Sequence, residues 1–460
     1  MTKHRVERDS MGEVQVPVDA LYGPQTQRAV NNFTISDRLM PAIFIRCLAR
    51  IKSAAARANS HCSVVDAKIA RAIEQAADSI ADGKHIAQFP VPVFQTGSGT
   101  STNMNINEVL ARLATERCGQ VVHPNDHVNC SQSSNDVIPS CIQVTAVVAL
   151  ASQLQPALRE LVEVMQVRAI ELASTVKPGR THLMDAMPLT FGQEMGAWCS
   201  QLDECNERFA NLHQRLRALP IGGSAVGTGV NVPADFPAAL VARLNELLGL
   251  EFSIADNTFA RMAGQDVAVE CSACLRSLAL VLAKINNDLR WMASGPLAGL
   301  GEIHLKELQP GSSIMPGKTN PVLPEAVLMA MAEVIGNDSA IMLAGLSGNF
   351  QLNVMLPLIA DKLTSSISLL TGACRTTGHT VASFSINHQQ VERTLAINPI
   401  LVTALNTTIG YEAAAAIAKR CYLEKRPVLD VAAEETALSR EELALLLDPY
   451  LLTNAKTVSD

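Results

Sequence analysis

Four segments of the sequence crowd small hydroxyl, amide and glycine residues between apolar stretches. They are QTGSGTSTNMNINE at 95–108, HPNDHVNCSQSSNDVIPS at 123–140, KPGRTHLMDAMPLTFGQE at 177–194 and ELQPGSSIMPGKTNPVLPEA at 307–326. Hydroxyl, amide and free backbone N–H groups donate hydrogen bonds, and several donors aimed at one point suit a carboxylate. These four segments are therefore the candidate binding and catalytic segments.

In the first segment Gly97 and Gly99 flank a serine, and glycine lets backbone N–H groups approach a ligand closely. Ser98 and Thr100 add hydroxyl donors. The segment lacks the third glycine of a dinucleotide-binding loop and follows no clear strand, so we reject that interpretation. A plain turn that leads into a helix is the alternative, and this segment alone does not decide between the two.

The second segment predicts a helix start whose side chains donate to a substrate. Those side chains are Ser133, Ser134 and Asn135. Ordinary helix capping by the same residues is the alternative. His123 and His127 also lie here, but Pro124 disfavours a continuous helix through them and no third ligand is evident. We therefore expect no metal site.

The third segment places His182 beside Thr181 and near Asp185. Histidine exchanges a proton near neutral pH, so His182 is a candidate acid or base within a polar cluster. A purely structural histidine is the alternative.

The fourth segment is the most informative of the four. Gly311 and Gly317 predict hinges around a loop that carries Ile314 and Met315. Apolar residues between two glycines make sense if the loop closes over a site and excludes water. The candidate groups on and after this loop are Ser312, Ser313, Lys318, Asn320 and Glu325. A structural loop without a function is the alternative.

The rest of the chain must position these segments. Hydrophobic residues make up 48% of the 460 residues and aromatic residues only 4%, which favours long packed helices over sheet. Segments 140–172, 194–217, 260–294 and 353–381 have few helix breakers and are apolar at helical spacing. Helices this long and apolar are buried in a bundle or against other subunits, so we predict an all-α, oligomeric fold.

The predicted regions along the chain are three. An N-terminal mixed helical domain covers 1–132, a central long-helix bundle covers 133–390, and a small C-terminal helical domain covers 391–460. The last contains the short charged helix REELALLL at 440–447.

Charge and composition exclude several functional classes. The formal net charge is −7 and the basic residues are scattered, so we expect no nucleic-acid partner. The segment from Val137 to Leu158 lacks charge, but its polar residues and two prolines predict bundle core and no membrane partner. The charged first residues lack the apolar stretch of a secretory signal, which predicts a cytoplasmic location. Cys271 and Cys274 lack a second ligand pair, so a packed helix face is expected there.

These segments, in this order, resemble the fumarase/aspartase superfamily, whose signature is GSSIMPGKTNP at 311–321. Within the superfamily the chain resembles class II fumarases in most of its motifs. Those motifs are TGSGT at 96–100, SSND at 133–136, GRTHL at 179–183, Gly317 before Lys318, SGNF at 347–350 and TALNTTIGY at 403–411. VLPEA after Pro321 and QLNVM at 351–355 lean toward aspartases instead.

The resemblance implies reversible hydration of fumarate to L-malate, a tricarboxylic acid cycle reaction, without metal or cofactor. It also implies a homotetramer in which each active site is assembled from three chains. By motif, Ser312 is implied to take the C3 proton of malate, and His182 paired with Glu325 is implied to handle the water. The implied substrate binders are Ser98, Gly99, Thr100, Ser133, Ser134, Asn135, Thr181, Ser313, Lys318 and Asn320.

Related fumarases carry basic residues just before their HPND segment, where a second dicarboxylate binds. This chain has Gln120, Val121 and Val122 there, although a possible second site keeps His123, Pro124, Asn125 and Asp126. Two other functions stay open at this point: an aspartate ammonia-lyase, which shares the carbanion chemistry, and a noncatalytic scaffold that retains the fold.

Overall fold

The computed structural model describes residues 3–454. In that part of the chain the structure is mostly helical, and its short strands pair only as two-stranded ribbons. The predicted all-α fold is therefore confirmed.

The α-helices are α1 (Pro24–Asn32), α2 (Ala42–His61), α3 (Ala67–Ala81), α4 (Thr100–Cys118), α5 (Ser134–Ala149), α6 (Gln155–Glu171), α7 (Phe191–Arg217), α8 (Phe236–Leu248), α9 (Thr258–Ala263), α10 (Asp266–Met292), α11 (Val322–Gly345), α12 (Leu356–Ser383), α13 (His388–Ala396), α14 (Asn406–Ile409), α15 (Tyr411–Glu424), α16 (Val428–Glu435) and α17 (Arg440–Leu446). The strands pair as β1 (His4–Asp9) with β2 (Gly12–Pro17), β3 (Val176–Thr181) with β4 (Met184–Thr190), β5 (Ala218–Leu219) with β6 (Ser253–Ile254), β7 (Ile303–His304) with β10 (Ser385–Ile386), and β8 (Gly348–Asn349) with β9 (Leu352–Asn353). Only the β5 and β6 pair is parallel. Short 3-10 helices lie at Ile86–Gln88, Pro399–Leu405 and Leu451–Thr453, and π-helical turns at Pro124–Val128 and Leu150–Leu154.

The four longest helices, α7, α10, α11 and α12, run where the sequence has few helix breakers. α10 spans 27 residues and contains neither proline nor glycine. In α11 and α12 the prolines, Pro324 and Pro357, fall in the first turn, where the missing N–H has no helical partner to lose. Length and composition predicted the other three, whereas α11 was not among the predicted segments.

α5 continues into α6 through the π-helical turn at Leu150–Leu154. The wider turn comes directly before Pro156, whose lack of an N–H disturbs the regular hydrogen-bond pattern. Within the described residues, two helical stretches are long and apolar enough to cross a membrane by length and composition alone. In Ser134–Glu171, 78% of the relevant window is buried inside the protein, as expected for a core helix, whereas in Val322–Gly345 only 33% is buried.

The chain divides into two compact units. Unit 1 comprises Met1–Pro156, Glu207–Ala279 and Ala332–Thr371, and unit 2 comprises Ala157–Asn206, Leu280–Met331 and Gly372–Asp460. The helices α6, α7, α10, α11 and α12 each contribute residues to both units. The three predicted regions along the chain were based on changes in helix length and composition along the sequence, and they stay a prediction.

The centre of the first part of unit 1 is α2, which packs against α3, α5 and α8. Its buried apolar residues recur at helical spacing, as with Phe44, Leu48 and Ile51, and its alanines allow close helix packing. A lysine is buried on the same helix. Lys52 is fully buried, and its Nζ donates to Asn129 Oδ1 and to Gln132 Oε1, each at 3.0 Å.

Asp136, in the first turn of α5, is the buried acidic counterpart of Lys52. Its carboxylate accepts backbone N–H groups from Ser133 at 2.9 Å, Gly222 at 3.1 Å and Ser224 at 3.0 Å. Burial raises the pKa of Asp136 to about 6 and lowers the pKa of Lys52 to about 7. The charge of each group opposes the effect of burial on the other, so the two ions stabilise one another.

The C-terminal helices of unit 2 have an apolar cluster of their own. The 3-10 segment Pro399–Leu405 packs against α15, α15 packs against α16, and α16 packs against α17. The most buried members of the cluster are Leu405, Val431, Ala432 and Leu443. The short charged helix predicted near 440–447 is observed as α17, and its N-terminus is closed by a capping box of Ser439 and Glu442.

Replacing Lys52 by methionine tests the buried charge pair. Lys52→Met leaves the Asp136 carboxylate buried without a cation, so we expect the free energy of unfolding to fall by roughly 3–5 kcal/mol near pH 6.5, between the pKa values of the two groups. The folded-state pKa of Asp136 is raised, so the native state binds more protons than the unfolded state between the two pKa values. Stability falls as the pH rises through that window, and the defect should therefore shrink near pH 5.5.

Urea unfolding of Lys52→Met at both pH values measures this effect. Lys68→Met, on the exposed side of α3, is the matched control and should change stability little at either pH. A Lys52→Met defect of the same size at both pH values would contradict the charge-pair account.

Candidate active site

The loop before α4 is shaped by two glycines that serve different purposes. A Cβ atom at position 97 would lie 1.7 Å from the carbonyl oxygen of Val354, and the Leu356 N–H donates to the Gly97 carbonyl at 3.0 Å. Gly97 therefore makes room for another backbone segment of unit 1, where the sequence predicted room for a ligand. Gly99 has a φ of 71° and directly precedes α4, a conformation that favours glycine.

The hydroxyls of this loop lie at the start of α4. Ser98 Oγ and Thr100 Oγ1 are 2.8 Å apart, and Thr100 is the first residue of the helix. Gln95 Oε1 accepts from both the N–H and the hydroxyl of Thr102, at 3.0 and 2.8 Å, which closes the first turn. Ser98 and Thr100 thus stand at a helix N-terminus, where the helix dipole favours an anion.

The start of α5 carries the second set of predicted donors. Ser133 is the N-cap residue and forms a capping box with Asp136, and its predicted donation to a substrate stays a prediction. Asn135 donates from its side chain to the Ala225 carbonyl at 2.9 Å. Ser134 Oγ lies 3.0 Å from Asn103 Nδ2, and Asn103 is one turn after Thr100 on α4. This contact brings the first and second segments together within unit 1.

The third segment forms the β3–β4 hairpin in unit 2. Thr181 pairs with Met184, and the two residues between them, His182 and Leu183, have φ values of 55° and 61°. A two-residue turn with two positive φ angles normally favours glycine or asparagine, so the backbone here is strained. Thr181 and His182 are exposed at the tip. The strained turn places His182 at the end of the hairpin.

A buried ion network lies at the base of this hairpin. Lys177 Nζ is 2.8 Å from Glu194 Oε2 and 3.2 Å from Glu302 Oε2. Arg180 lies 2.5 Å from the other carboxylate oxygen of Glu302, which is only 1% exposed. Two cations and two carboxylates balance, so the network fixes β3 without an uncompensated charge. Sequence reasoning missed Arg180 and Glu302 because they lie far apart in the chain.

The signature loop at 311–320 is closed by its own backbone. The Gly311 N–H donates to the Lys318 carbonyl at 2.8 Å, and Asn320 Nδ2 donates to the Gly311 carbonyl at 2.8 Å. A Cβ at Gly311 would lie 2.5 Å from the Lys318 carbonyl oxygen, and Gly317 has a φ of 78°. Each predicted hinge glycine thus has a specific backbone reason. Asn320 is predicted to bind substrate, and one N–H of its side chain donates to this closure.

Ser312 Oγ accepts two backbone N–H groups of the same loop. They come from Ile314 at 3.2 Å and Met315 at 3.1 Å. Ser313 makes no side-chain hydrogen bond within the described residues and is exposed. Ile314 is 83% exposed, so the apolar tip of the loop faces away from the protein interior in the single chain.

A cavity of about 600 Å³ in unit 2 has residues of the signature segment on its wall. Lys318, Asn320 and Glu325 line it together with Asn287 and Arg290 from the end of α10. Arg290 donates to Asn287 Oδ1 at 3.2 Å. Sequence reasoning missed these two residues. They lie three positions apart on a helix that ends before SGP, and this spacing, which puts both on one helix face, was the available signal.

The possible second dicarboxylate site lies on a cavity of about 660 Å³ in unit 1. His123, Pro124 and Asn125 line it, whereas Asp126 is not on its wall. His123 Nδ1 accepts the backbone N–H groups of residues 125 and 126, so the ring caps the π-helical turn. The same wall carries three arginines and four acidic residues, which are Arg5, Arg8, Arg112, Glu7, Asp9, Glu108 and Glu116.

The structure therefore gathers the predicted residues into separate groups. In unit 1 lie Ser98, Gly99, Thr100, Ser133, Ser134 and Asn135; in unit 2 lie Thr181, His182, Ser312, Ser313, Lys318, Asn320 and Glu325. Within the described part of one chain, no hydrogen bond or ion pair joins His182 to Glu325, so their pairing stays a prediction. Among residues 3–454, no group of three or more His, Cys, Asp or Glu side chains is arranged to hold a metal ion.

The chain matches the family described as Lyase over residues 12–336 and the family described as Fumarase C C-terminus over residues 401–454. It is 54% identical to fumarate hydratase class II 2 of Pseudomonas aeruginosa, over 98% of this chain and 99% of that protein. It is 47% identical to fumarate hydratase class II of Mycobacterium tuberculosis, over 98% of this chain and 97% of that protein.

Among solved structures, the fold is similar to that of recombinant class II fumarase from Schistosoma mansoni. The TM-score is 0.95 and the sequence identity is 34%, over 99% of this chain and 100% of that chain. Agreement over the whole length, in both sequence and fold, covers every segment that carries the candidate site. The chain belongs to the class II fumarate hydratase family.

Proposed function

We propose that the protein catalyses the reversible hydration of fumarate to L-malate, with Ser312 as the base that takes the C3 proton. Full-length relatives named fumarate hydratase support the overall reaction. The observation that carries the mechanism is the pair of backbone N–H groups, from Ile314 and Met315, that point at Ser312 Oγ. A place in the tricarboxylic acid cycle follows from this reaction, and a cytoplasmic location stays a prediction.

A serine hydroxyl is a poor base in water because its alkoxide is unstable there. Two fixed N–H donors stabilise an alkoxide without any reorganisation during the reaction, and more strongly when the loop closes and excludes water. Ser312 enters this step as the alkoxide, its own proton having passed to solvent water before the loop closes, and takes the C3 proton of malate to become the neutral hydroxyl. The electron pair left behind spreads into the neighbouring carboxylate. The resulting dianion needs positive charge where the negative charge develops.

Lys318 supplies that charge in the proposal. Its side chain lines the same cavity as Asn320 and Glu325. One side-chain N–H of Asn320 closes the loop, and its second N–H takes no part in that closure. Ser313 adds an exposed hydroxyl beside the base. The remaining donors to the two carboxylates are Ser98, Thr100, Ser133, Ser134, Asn135 and Thr181, with the Gly99 backbone. No step in this scheme calls for a metal or a cofactor.

His182 handles the water in the proposal, as the base in hydration and the acid in the reverse direction, with Glu325 as its partner. Glu325 lies in the first turn of α11, and His182 is exposed at its hairpin tip. In the proposal this pair forms between chains, as the shared active sites of the family imply. Each site would then draw on three chains of a homotetramer.

The exposed apolar surface of α11 supports assembly into a tetramer. Met329, Met342 and Leu343 are more than half exposed along this helix, and Leu346 follows them at 77%. A long helix with such residues on its outer side is stable when other helices cover it. A second subunit of the same kind would supply those helices.

Direct assays separate the proposed reaction from its alternative. Purified protein should form fumarate from L-malate and should release no ammonia from L-aspartate, because a hydratase site is built around water as the leaving group. The VLPEA and QLNVM segments motivate the aspartate arm. Ammonia release without malate turnover would establish an aspartate ammonia-lyase, and inactivity on both substrates would favour a noncatalytic scaffold.

Variants at two adjacent serines test the assigned base. Ser312→Ala should remove nearly all turnover and the exchange of the malate C3 proton with solvent, while dicarboxylate binding persists. Ser313→Ala is the matched control on the same loop. As a proposed carboxylate binder it should chiefly raise KM and keep C3 exchange. Rapid C3 exchange in Ser312→Ala would show that another group is the base.

Mixed tetramers test whether the sites are shared between chains. His182→Asn alone should lose roughly 10²–10⁴-fold in turnover, as expected for a general acid or base, and should keep C3 exchange. Coexpression of Ser312→Ala and His182→Asn chains should restore activity in about one quarter of the sites, since random pairing reunites an intact Ser312 with an intact His182. If both residues act from one chain, mixing restores nothing.

A further inference from the structure

A chain of buried hydrogen bonds runs beneath Ser134 in unit 1. Lys52 Nζ donates to Asn129 Oδ1 at 3.0 Å. Asn103 Nδ2 donates to that same oxygen at 3.0 Å and also to Ser134 Oγ at 3.0 Å. Lys52 and Asn103 are fully buried, and Ser134 is 8% exposed. The polar path therefore begins at a buried cation and ends at a proposed substrate-binding hydroxyl.

The directions of the bonds in this chain are set by Lys52 together with the Gln132 carbonyl, which only accepts. An ammonium group only donates, so the Asn129 side chain must turn its oxygen toward Lys52. Its Nδ2 accordingly donates to the Gln132 carbonyl at 3.2 Å. With the Asn129 oxygen fixed, a flipped Asn103 would bring two acceptors together, so Asn103 must present its Nδ2. Asn103 Oδ1 is left buried without a partner, which is the cost of this orientation.

Asn103 Nδ2 occupies a lone pair of Ser134 Oγ as a donor. The Ser134 hydroxyl hydrogen cannot point back at Nδ2, because that group has no free lone pair to accept it. The hydrogen must therefore point elsewhere. A carboxylate only accepts hydrogen bonds, so a hydroxyl held as an obligate donor binds it better than one that rotates freely.

We propose that Asn103, oriented by Lys52 through Asn129, is a positioning residue that forces the Ser134 hydroxyl to donate its hydrogen to a substrate carboxylate. This inference rests on the proposed role of Ser134 in binding the dicarboxylate. It assigns to the interior of unit 1 the task of setting the hydrogen-bond polarity of the site. Asn103 itself does not touch the substrate.

Asn103→Asp reverses the polarity at this position. The new carboxylate accepts the Ser134 hydrogen, which leaves oxygen lone pairs facing the substrate. A lost hydrogen bond to a charged group raises KM for malate by about ten- to hundredfold, with a smaller change in kcat. Asn107→Asp is the matched control, because buried Asn107 also donates to Asn129 Oδ1, at 3.2 Å, but does not contact Ser134. It should leave KM within about twofold.

A double-mutant cycle with Ser134→Ala decides whether Asn103 acts through Ser134. The proposal requires that Ser134→Ala raises KM and that adding Asn103→Asp then changes KM no further. An Asn103→Asp effect that persists in the Ser134→Ala background, or that Asn107→Asp reproduces, overturns the inference and leaves the proposed function standing. If Ser134→Ala leaves KM unchanged, the assignment of Ser134 to the site fails first.

Thermal unfolding of each variant provides the folding control. If Asn103→Asp does not fold, Asn103→Leu removes the donor without adding charge. That variant frees the Ser134 hydroxyl to rotate, so KM should rise by about three- to tenfold, and this increase must also vanish in the Ser134→Ala background. A folded Asn103→Leu protein with unchanged KM likewise overturns the inference.

Discussion

The buried carboxylate of Asp136 is the group on which the start of α5 in unit 1 depends. It holds the Ser133 N–H at the start of α5 and the N–H groups of Gly222 and Ser224 in the segment after β5. An isolated buried charge would cost several kcal/mol, but three N–H donors and the buried Lys52 offset that cost. The helix start that presents Ser133 and Ser134 is therefore fixed from beneath, by groups that water does not reach.

One rule of hydrogen bonding recurs at the candidate catalytic hydroxyls. Ser133 Oγ accepts the Asn135 N–H, Ser134 Oγ accepts Asn103 Nδ2, and Ser312 Oγ accepts two backbone N–H groups. In each case an N–H group of the protein donates to the serine oxygen. The hydroxyl hydrogen then remains available to donate to another group. For a binding serine this favours a carboxylate ligand, and for a serine base it favours loss of the proton.

Sequence patterns predicted the all-α fold because long apolar runs without breakers have few alternatives. The glycines also marked the positions of the loops. Gly99 and Gly317 both adopt a positive φ, which other residues avoid. Burial of Lys52 was beyond such patterns, since a lysine on an alanine-rich helix normally faces solvent. The partners of Gly97 and Asn103 were equally hidden, because contacts between segments distant along the chain leave no local signal. The helix α11 was missed because its first turn lies next to the signature loop and its prolines.

The contact between Gly97 and Val354 has a consequence for how this sequence can change over time. With the carbonyl oxygen of Val354 where a Cβ would stand, no side chain fits at position 97 unless the backbone at 353–356 takes another path. That segment is held in turn by the Leu356 N–H on the Gly97 carbonyl and by Asn353, which donates to the Ala344 carbonyl. Position 97 therefore stays glycine for as long as the backbone at 353–356 keeps its path, whereas side chains in that segment can change without disturbing the contact.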